Sequence, residues 1–224
     1  MFGMKMLVNR GEELQVFLRP FEKEELSLVT KGFQSPTIHR YTRQIFAQTL
    51  ENEEEWYHRV RRSETDCVWA IVVAGSNFKH SGVDGQTPIG VTGIHGIDQW
   101  GGGRTGIVIW DHRVWGLGVA SAAHLGRTLF VADFLNRNTL RSSVMVGNNS
   151  SLNALKRVGY TVCGTNPRHS FREGKWLDEF QLTWLNPRKI SDLYPEGLPG
   201  KFKRGVKRAE KALETARECV IYPC

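Results

Sequence analysis

Three apolar, β-branched runs follow one another in the middle of the chain: Val68–Ala74 (VWAIVVA), Pro88–Ile97 (PIGVTGIHGI) and Thr105–Trp110 (TGIVIW). Branched side chains pack well on a pleated surface, so each run reads as a strand and the first as a core strand. Gly75–Thr87, rich in Gly, Ser, Asn and Asp, is a hairpin loop or a variable insertion, and Gly101-Gly102-Gly103 turns the chain before the third run. Consecutive strands joined by turns of this kind imply an antiparallel meander.

Helices flank the meander. Glu22–Lys31 and Glu51–Arg62 are acidic at the front and basic at the back, an order that suits the helix dipole. Trp56 and Val60, four apart, belong to the buried stripe of the second. Gln15–Phe21 reads as a first strand ending at Arg19-Pro20, and Gly32–Arg43, which contains Pro36, as a loop or broken helix. Leu117–Leu135 is a long helix, Thr139–Val146 a strand and Ser150–Val158 a short helix. Tyr160–Cys163 and Phe180–Trp184 are the last strands, bridged by a polar loop through Phe171–Leu177. Strands and helices in this order make an α+β, three-layer α/β/α fold.

No apolar run approaches the ~20 residues that span a bilayer, and the N-terminus lacks a signal-peptide pattern, so a cytoplasmic protein with no membrane contact is expected. Cys67, Cys163, Cys219 and Cys224 fit neither a zinc site nor a disulfide framework, and no metal is expected. Cys67 and Cys163 lie in apolar runs where buried free thiols are common, whereas Cys224 is expected to be exposed. A net charge of +7 favours acidic partners: nucleic acid, an acidic protein surface or a polyanionic cofactor such as coenzyme A.

The segment Ile107–Ala123 (IVIWDHRVWGLGVASAA) runs from a strand through a glycine-containing turn into a long helix. Backbone N–H groups at a helix start have no intrahelical partner, and with the positive end of the dipole they suit a pyrophosphate. Gly116 and Gly118 would let phosphate oxygens approach, since a Cβ would hold them off. A plain glycine turn without a ligand fits the segment as well. No Gly-Lys-Ser/Thr follows, so it is not a Walker motif, and the antiparallel strands and absent third glycine separate it from a Rossmann fingerprint.

Arg113, Gly116 and Gly118, spaced Arg-x-x-Gly-x-Gly between strand and helix, resemble the acetyl-CoA pyrophosphate loop of the GNAT superfamily. Asn148–Tyr160 (NNSSLNALKRVGY) resembles that family's Asn-x-x-Ser, short helix and Gly-Phe/Tyr, with Asn148, Ser151, Gly159 and Tyr160 at the matching positions. His169–Leu182 (HSFREGKWLDEFQL) and Leu18-Arg19-Pro20 are similar to segments of the subgroup acting on protein N-termini (RimJ/RimL-like). The likeness spans roughly residues 14–187, in order.

The resemblance implies a mixed, mostly antiparallel sheet whose central strands, here Thr105–Trp110 and Thr139–Val146, splay apart. It implies an acetyl-CoA-dependent N-acetyltransferase acting on a primary amine, either a protein α-amine or a small amine. The amides of Trp115, Gly116, Leu117, Gly118 and Val119 would cradle the pyrophosphate, with Arg113 and Val114 beside it and Ala120 in the first helical turn. Ile109 lies on the strand edge that would pair with the cofactor's amide arm. Asn148 would contact that arm or the reacting carbonyl, and Ser151 would protonate the leaving thiolate.

The general base departs from the family pattern: Arg104 stands where relatives carry glutamate, and Ser121-Ala122-Ala123 where they carry Thr-Glu-Ala. His95 is the catalytic candidate, with Asp98, Glu173 and Asp178 as alternates. A structurally hydrogen-bonded histidine and a turn aspartate are the plainer readings of His95 and Asp98. Trp69 and Trp110 are expected in the core; Trp100 and Trp176, on loops, pack at a rim or line an acceptor pocket.

The resemblance gives an acyltransferase domain over 1–187 and a basic C-terminal extension over 188–224. The extension carries nine basic and five acidic residues. Val206, Ala209, Leu213, Ala216 and Val220 form the stripe of an amphipathic helix docked on the domain or on a dimer partner. Contact with nucleic acid or ribosome is the other reading of its basic front. Two rival functions remain: acylation of a nucleic-acid or nucleotide amine, and a CoA-binding module without turnover.

Overall fold

The computed structural model describes residues 1–42, 48–99 and 101–223; the expectations placed on Arg43, Trp100 and Cys224 lie outside them. The chain runs β1 (Met6–Asn9), β2 (Gln15–Arg19), α1 (Leu26–Phe33), α2 (Pro36–Tyr41), α3 (Leu50–Arg62), β3 (Cys67–Ala74), β4 (Gly90–His95) and β5 (Arg104–Ile109). It continues through α4 (Val119–Leu129), β6 (Thr139–Met145), α5 (Asn149–Arg157), β7 (Thr161–Arg172), β8 (Lys175–Leu185), α6 (Ile190–Leu193), α7 (Gly200–Cys219) and β9 (Val220–Ile221). One sheet collects the strands in the order β7-β8-β6-β5-β4-β3-β2-β1-β9. Every neighbouring pair is antiparallel except β5–β6, which is parallel.

Both faces of the sheet are covered, which is why β3 is an unbroken apolar run. Trp69, Ile71 and Val73 point into the larger core with α4, α5 and α7, and the Trp69 indole N–H donates to Met4 O at 2.9 Å. Ala70, on the opposite face, joins Phe21, Val29, Phe33 and Ile38 in a second core, with Trp56 at its edge. The result is the expected α+β fold with helices on both sides of a mixed sheet.

Several elements differ from their sequence-based bounds for local reasons. β1 was not foreseen: it is four residues long, and its alternate residues Met6 and Val8 are buried in the core that α4 and α7 cover. Pro36 opens α2 at its first turn, where its missing N–H costs nothing. The stretch Phe171–Leu177 is not a polar loop. β7 and β8 extend into it and close on Glu173-Gly174, both at positive φ as a tight two-residue hairpin requires. Cys67 is buried, but Cys163 is exposed, because β7 is an edge strand with an uncovered face. Trp69 is core as expected, whereas Trp110 is only half-buried against Phe33. The helix from Val119 loosens to an i→i+5 turn near its end, where Leu135 N–H donates to Phe130 O at 3.1 Å.

Residues Ala209, Ala212, Leu213 and Ala216 of α7 belong to the same core as α4 and the sheet, and β9 then pairs with β1. Lys201, Lys203, Arg204 and Lys207 remain exposed on its other side.

Two measurements check this packing. Leu213→Ala should destabilise the whole chain by about 2–4 kcal/mol, seen as a lower urea midpoint at unchanged slope; an undocked helix would leave the midpoint where it is. Burial pushes the Cys67 thiol up to about 12. At pH 8 iodoacetamide should therefore label Cys163 in the folded protein and reach Cys67 only after unfolding, as peptide mapping would record.

Candidate active site

The parallel neighbours β5 and β6 pair at a single register, Arg104 with Arg141, and then diverge. Just outside β5, Trp110 N–H donates to Ile89 O at 3.1 Å, which fixes the alternation of the β4–β5 ladder. Gly106 and Val108 direct their main-chain groups to β4, and Ile107 and Ile109 direct theirs into the gap before β6. The Ile109 carbonyl is taken by the Trp115 indole N–H at 3.0 Å. No residue of β6 is in register with Ile107, because the β5–β6 pairing ends at Arg104.

A cleft of about 440 Å³ opens at this gap. Its floor is Ile107–Ile109, one wall Val114, Trp115, Gly116 and Gly118 with the start of α4, and the other the start of α5, while Leu117 turns away to pack against the core. Gly116 and Gly118 sit at φ +79° and +85°, which L-residues resist, and a Cβ on Gly116 would project into open space. Leu117 N–H donates back to Val114 O, whereas the N–H groups of Gly116, Gly118, Val119, Ala120 and Ser121 have no partner among the described residues. The first intrahelical acceptor is Gly118 O, bound by Ala122 N–H at 3.0 Å. Unpaired donors at a helix start facing an open cleft suit a pyrophosphate, so the residues present fit the group expected there.

Of the residues singled out from sequence, Ile109, Val114, Trp115, Gly116, Gly118, Val119, Ala120, Asn148 and Ser151 line this one cleft. Asn148 caps α5, its Oδ1 accepting Ser151 N–H at 3.2 Å. The Asn-x-x-Ser spacing is thus that of an N-cap and the third helical residue, which holds both side chains at the cleft wall. Arg113 is directed elsewhere. Its guanidinium grips Asp111 at 2.6 Å and the carbonyls of Ser81 and Gly82, anchoring the Gly75–Thr87 loop. The arginine at the cleft is Arg157, at the end of α5, which donates to Ser121 Oγ at 3.4 Å.

His95 is not brought to Asn148 and Ser151. It faces Arg104 across the ladder, at the closed end of the gap. Its Nδ1 lies 3.3 Å from Asp66. Burial lowers the imidazole pKa and Asp66 partly restores it. Asp98 accepts Gly102 N–H, Asp178 accepts Arg168 N–H, and Glu173 pairs with Arg40, so each alternate has a turn or surface role. Trp176 is exposed at the hairpin, against Phe171.

His95 does line a second cleft of about 390 Å³ on the α1–α3 side of the sheet. Glu53, Glu55, Trp56 and Arg59 of α3 also line it. Ile107 and Val108 border both clefts, so the two meet where the sheet opens. Glu53 is buried, and burial raises its carboxyl pKa. No hydrogen bond or ion pair holds its carboxylate among the described residues. In the sequence Glu53 reads as one of the acidic residues at a helix front that match the helix dipole. The signal was its place three residues before Trp56 and seven before Val60, in line with the buried stripe. The late hairpin reaches α2 from the other side: Arg40 pairs with Glu173 at 2.8 Å and Arg172 donates to Thr42 O at 3.3 Å.

Among the described residues no group of three His, Cys, Asp or Glu side chains is placed to hold a metal, and no helix is long and apolar enough to cross a membrane.

The spermidine N-acetyltransferase of Vibrio cholerae, solved with CoA and spermine, superposes with a TM-score of 0.65 at 18% identity, over 78% of this chain and 98% of that one. RimJ of Mycobacterium smegmatis, solved with CoA-disulfide, does so with a TM-score of 0.63 at 15% identity, over 99% of this chain and 96% of that one. At such identities the likeness is one of fold. No curated protein matches the sequence. The model of the acetyltransferase (GNAT) domain matches residues 15–161, and the chain therefore belongs to the GNAT acetyltransferase family, whose cofactor is acetyl-CoA.

Proposed function

We propose that the protein transfers an acetyl group from acetyl-CoA to a primary amine by direct attack on the thioester, the acceptor being a small polyamine or a protein α-amine. The observation that carries this reading is the meeting of the two clefts at Ile107–Val108. A donor lying against the glycine turn and an amine entering past α3 would reach the same stretch of β5 from opposite sides.

Acetyl-CoA supplies the activated acyl group when bound. The chain's own residues account for the rest. The free amides of Gly116 and of Gly118 to Ser121 hold the anionic part, and Arg157 adds a positive charge beside them. Ile107 N–H, pointing into the gap, is the donor for a carbonyl oxygen that gains charge. An amine attacks only when neutral, yet lysine-type amines are mostly protonated at pH 7, so a proton must be removed. Glu53 is the base best placed for it. Its raised pKa makes the carboxylate a better proton acceptor than an exposed glutamate, and Glu55 beside it favours a cationic acceptor. Ser151 Oγ, on the donor side, is the candidate to give a proton to the departing sulfur. His95 serves as a wall of the acceptor cleft, tied to Asp66. The superposition on a spermidine N-acetyltransferase makes polyamines the first acceptors to try, ahead of N-terminal peptides.

Thiol release from acetyl-CoA, followed with a thiol reagent, tests this. Turnover with a polyamine or peptide acceptor is expected. Glu53→Gln should lower kcat by about 100-fold while leaving calorimetric CoA affinity within twofold. Because Glu53 must be ionised to accept a proton, kcat/KM should rise with pH through its raised pKa, and the variant should lose that limb. The double change Gly116→Glu and Gly118→Glu should abolish CoA binding in a protein that still folds by circular dichroism. No binding by the unmodified protein at millimolar CoA would contradict the proposal.

A further inference from the structure

Arg127, in the last turn of α4, is completely buried behind the sheet. No carboxylate pairs with it among the described residues. Its Nη1 donates to Thr92 Oγ1 at 2.7 Å and to Gly106 O at 2.9 Å, while Nε and Nη2 meet no acceptor in good hydrogen-bond geometry among the described residues. The Tyr160 phenol lies beside it, itself 3.1 Å from Thr105 Oγ1. His124, one turn earlier, is also fully buried, and burial keeps its ring neutral. Arginine retains its proton in proteins, so a full positive charge sits among neutral groups. A core position needing only volume would be better served by methionine or leucine, since a buried, unpaired cation opposes folding. The charge therefore calls for a use.

Its direction supplies one. Gly106 O accepts from Arg127 Nη1 and, at 3.0 Å, from Thr92 Oγ1, whose own oxygen accepts from Arg127. Across the same trans peptide the Ile107 N–H points the opposite way, into the gap between β5 and β6. Charge drawn toward a carbonyl oxygen leaves the amide proton of that peptide more positive, and bonds arranged in series reinforce one another. We propose that Arg127 is a positioning residue that acts through the Gly106–Ile107 peptide, polarising it from behind the sheet so that Ile107 N–H binds the carbonyl oxygen of an acyl thioester more strongly. The proposal rests on the reading of the gap as the donor site. Arg127 touches no substrate. Its effect passes through one peptide unit, so it should be smaller than the loss of a whole donor, about 10- to 100-fold in kcat rather than about 100- to 1,000-fold.

The test is the carbonyl stretch of [1-13C]acetyl-CoA, measured by isotope-edited Raman difference spectroscopy with the unmodified protein, Arg127→Met, Arg127→Lys and Thr92→Val, all compared at saturating binding verified by calorimetry. The carbonyl band of the bound thioester should appear at lower frequency than in solution, and Arg127→Met should return it most of the way. Arg127→Lys should retain much of the shift, and Thr92→Val should lose a smaller part of it. kcat should fall in the same order with the KM for acetyl-CoA within threefold. If Arg127→Met does not fold, the ordering of Thr92→Val between the unmodified protein and free acetyl-CoA decides, and an unmoved frequency in that variant overturns the proposal. Binding with no carbonyl shift, or a shift equal in folded Arg127→Met, overturns this inference alone. Absence of binding by the unmodified protein overturns the donor-site reading and this inference with it.

Discussion

The separation of β5 from β6 after one paired register is the constraint on which the rest of the molecule turns. Each arm is held by its outer neighbour, β5 by six register pairs to β4 and β6 by seven to β8, so the gap need not close. The vertex is pinned by buried polar groups: Thr105 Oγ1 donates to Arg141 O at 3.3 Å and meets Tyr160, while Ser142 Oγ donates to Thr105 O at 3.4 Å. Beyond it, strand edges that would ordinarily pair with each other face an open cleft. An exposed edge inside a protein is costly unless something fills it, and an extended chain of amide groups is a natural occupant.

Charge is divided across this opening. In the cleft at the glycine turn stand unpaired helix-start amides and Arg157; in the other stand Glu53 and Glu55, with Arg59 near them. The arrangement suits a polyanion meeting a cation. The net charge of +7 does not decide the chemistry, because much of the excess lies on the solvent face of α7, away from the opening. A ribosome or nucleic-acid contact through Lys201, Lys203, Arg204 and Lys207 would be a separate property, marked by steep salt dependence.

Much of this was legible in the chain. The strand-turn-helix at Ile107–Ala123 and the Asn148–Ser151 pair are set by local rules: glycines at positive φ, unpaired N–H groups at a helix start and a side-chain cap. Rules of that kind act over a few residues, and sequence shows them. What it could not show was direction. Arg113 stands at the family's spacing, yet Asp111, two residues away, and a loop some thirty residues earlier capture its guanidinium. His95 sits at the far end of the ladder from the glycine turn, a separation fixed by register. The burial of Glu53 and Arg127, on which their proposed roles rest, depends on packing against distant strands and could not be read locally. Both left a trace, one carboxylate on an apolar helix stripe and one cation in a helix otherwise buried on all sides.

The central claim is that the gap between β5 and β6 receives the donor. Amide chemical-shift mapping of the 15N-labelled protein on titration with CoA tests it directly, without any acceptor. The account predicts the largest changes at Ile107, Gly116, Gly118, Val119 and Ser151, with little at the exposed face of α7. Changes confined to that basic face, or none near Ile107 at saturation, would contradict it.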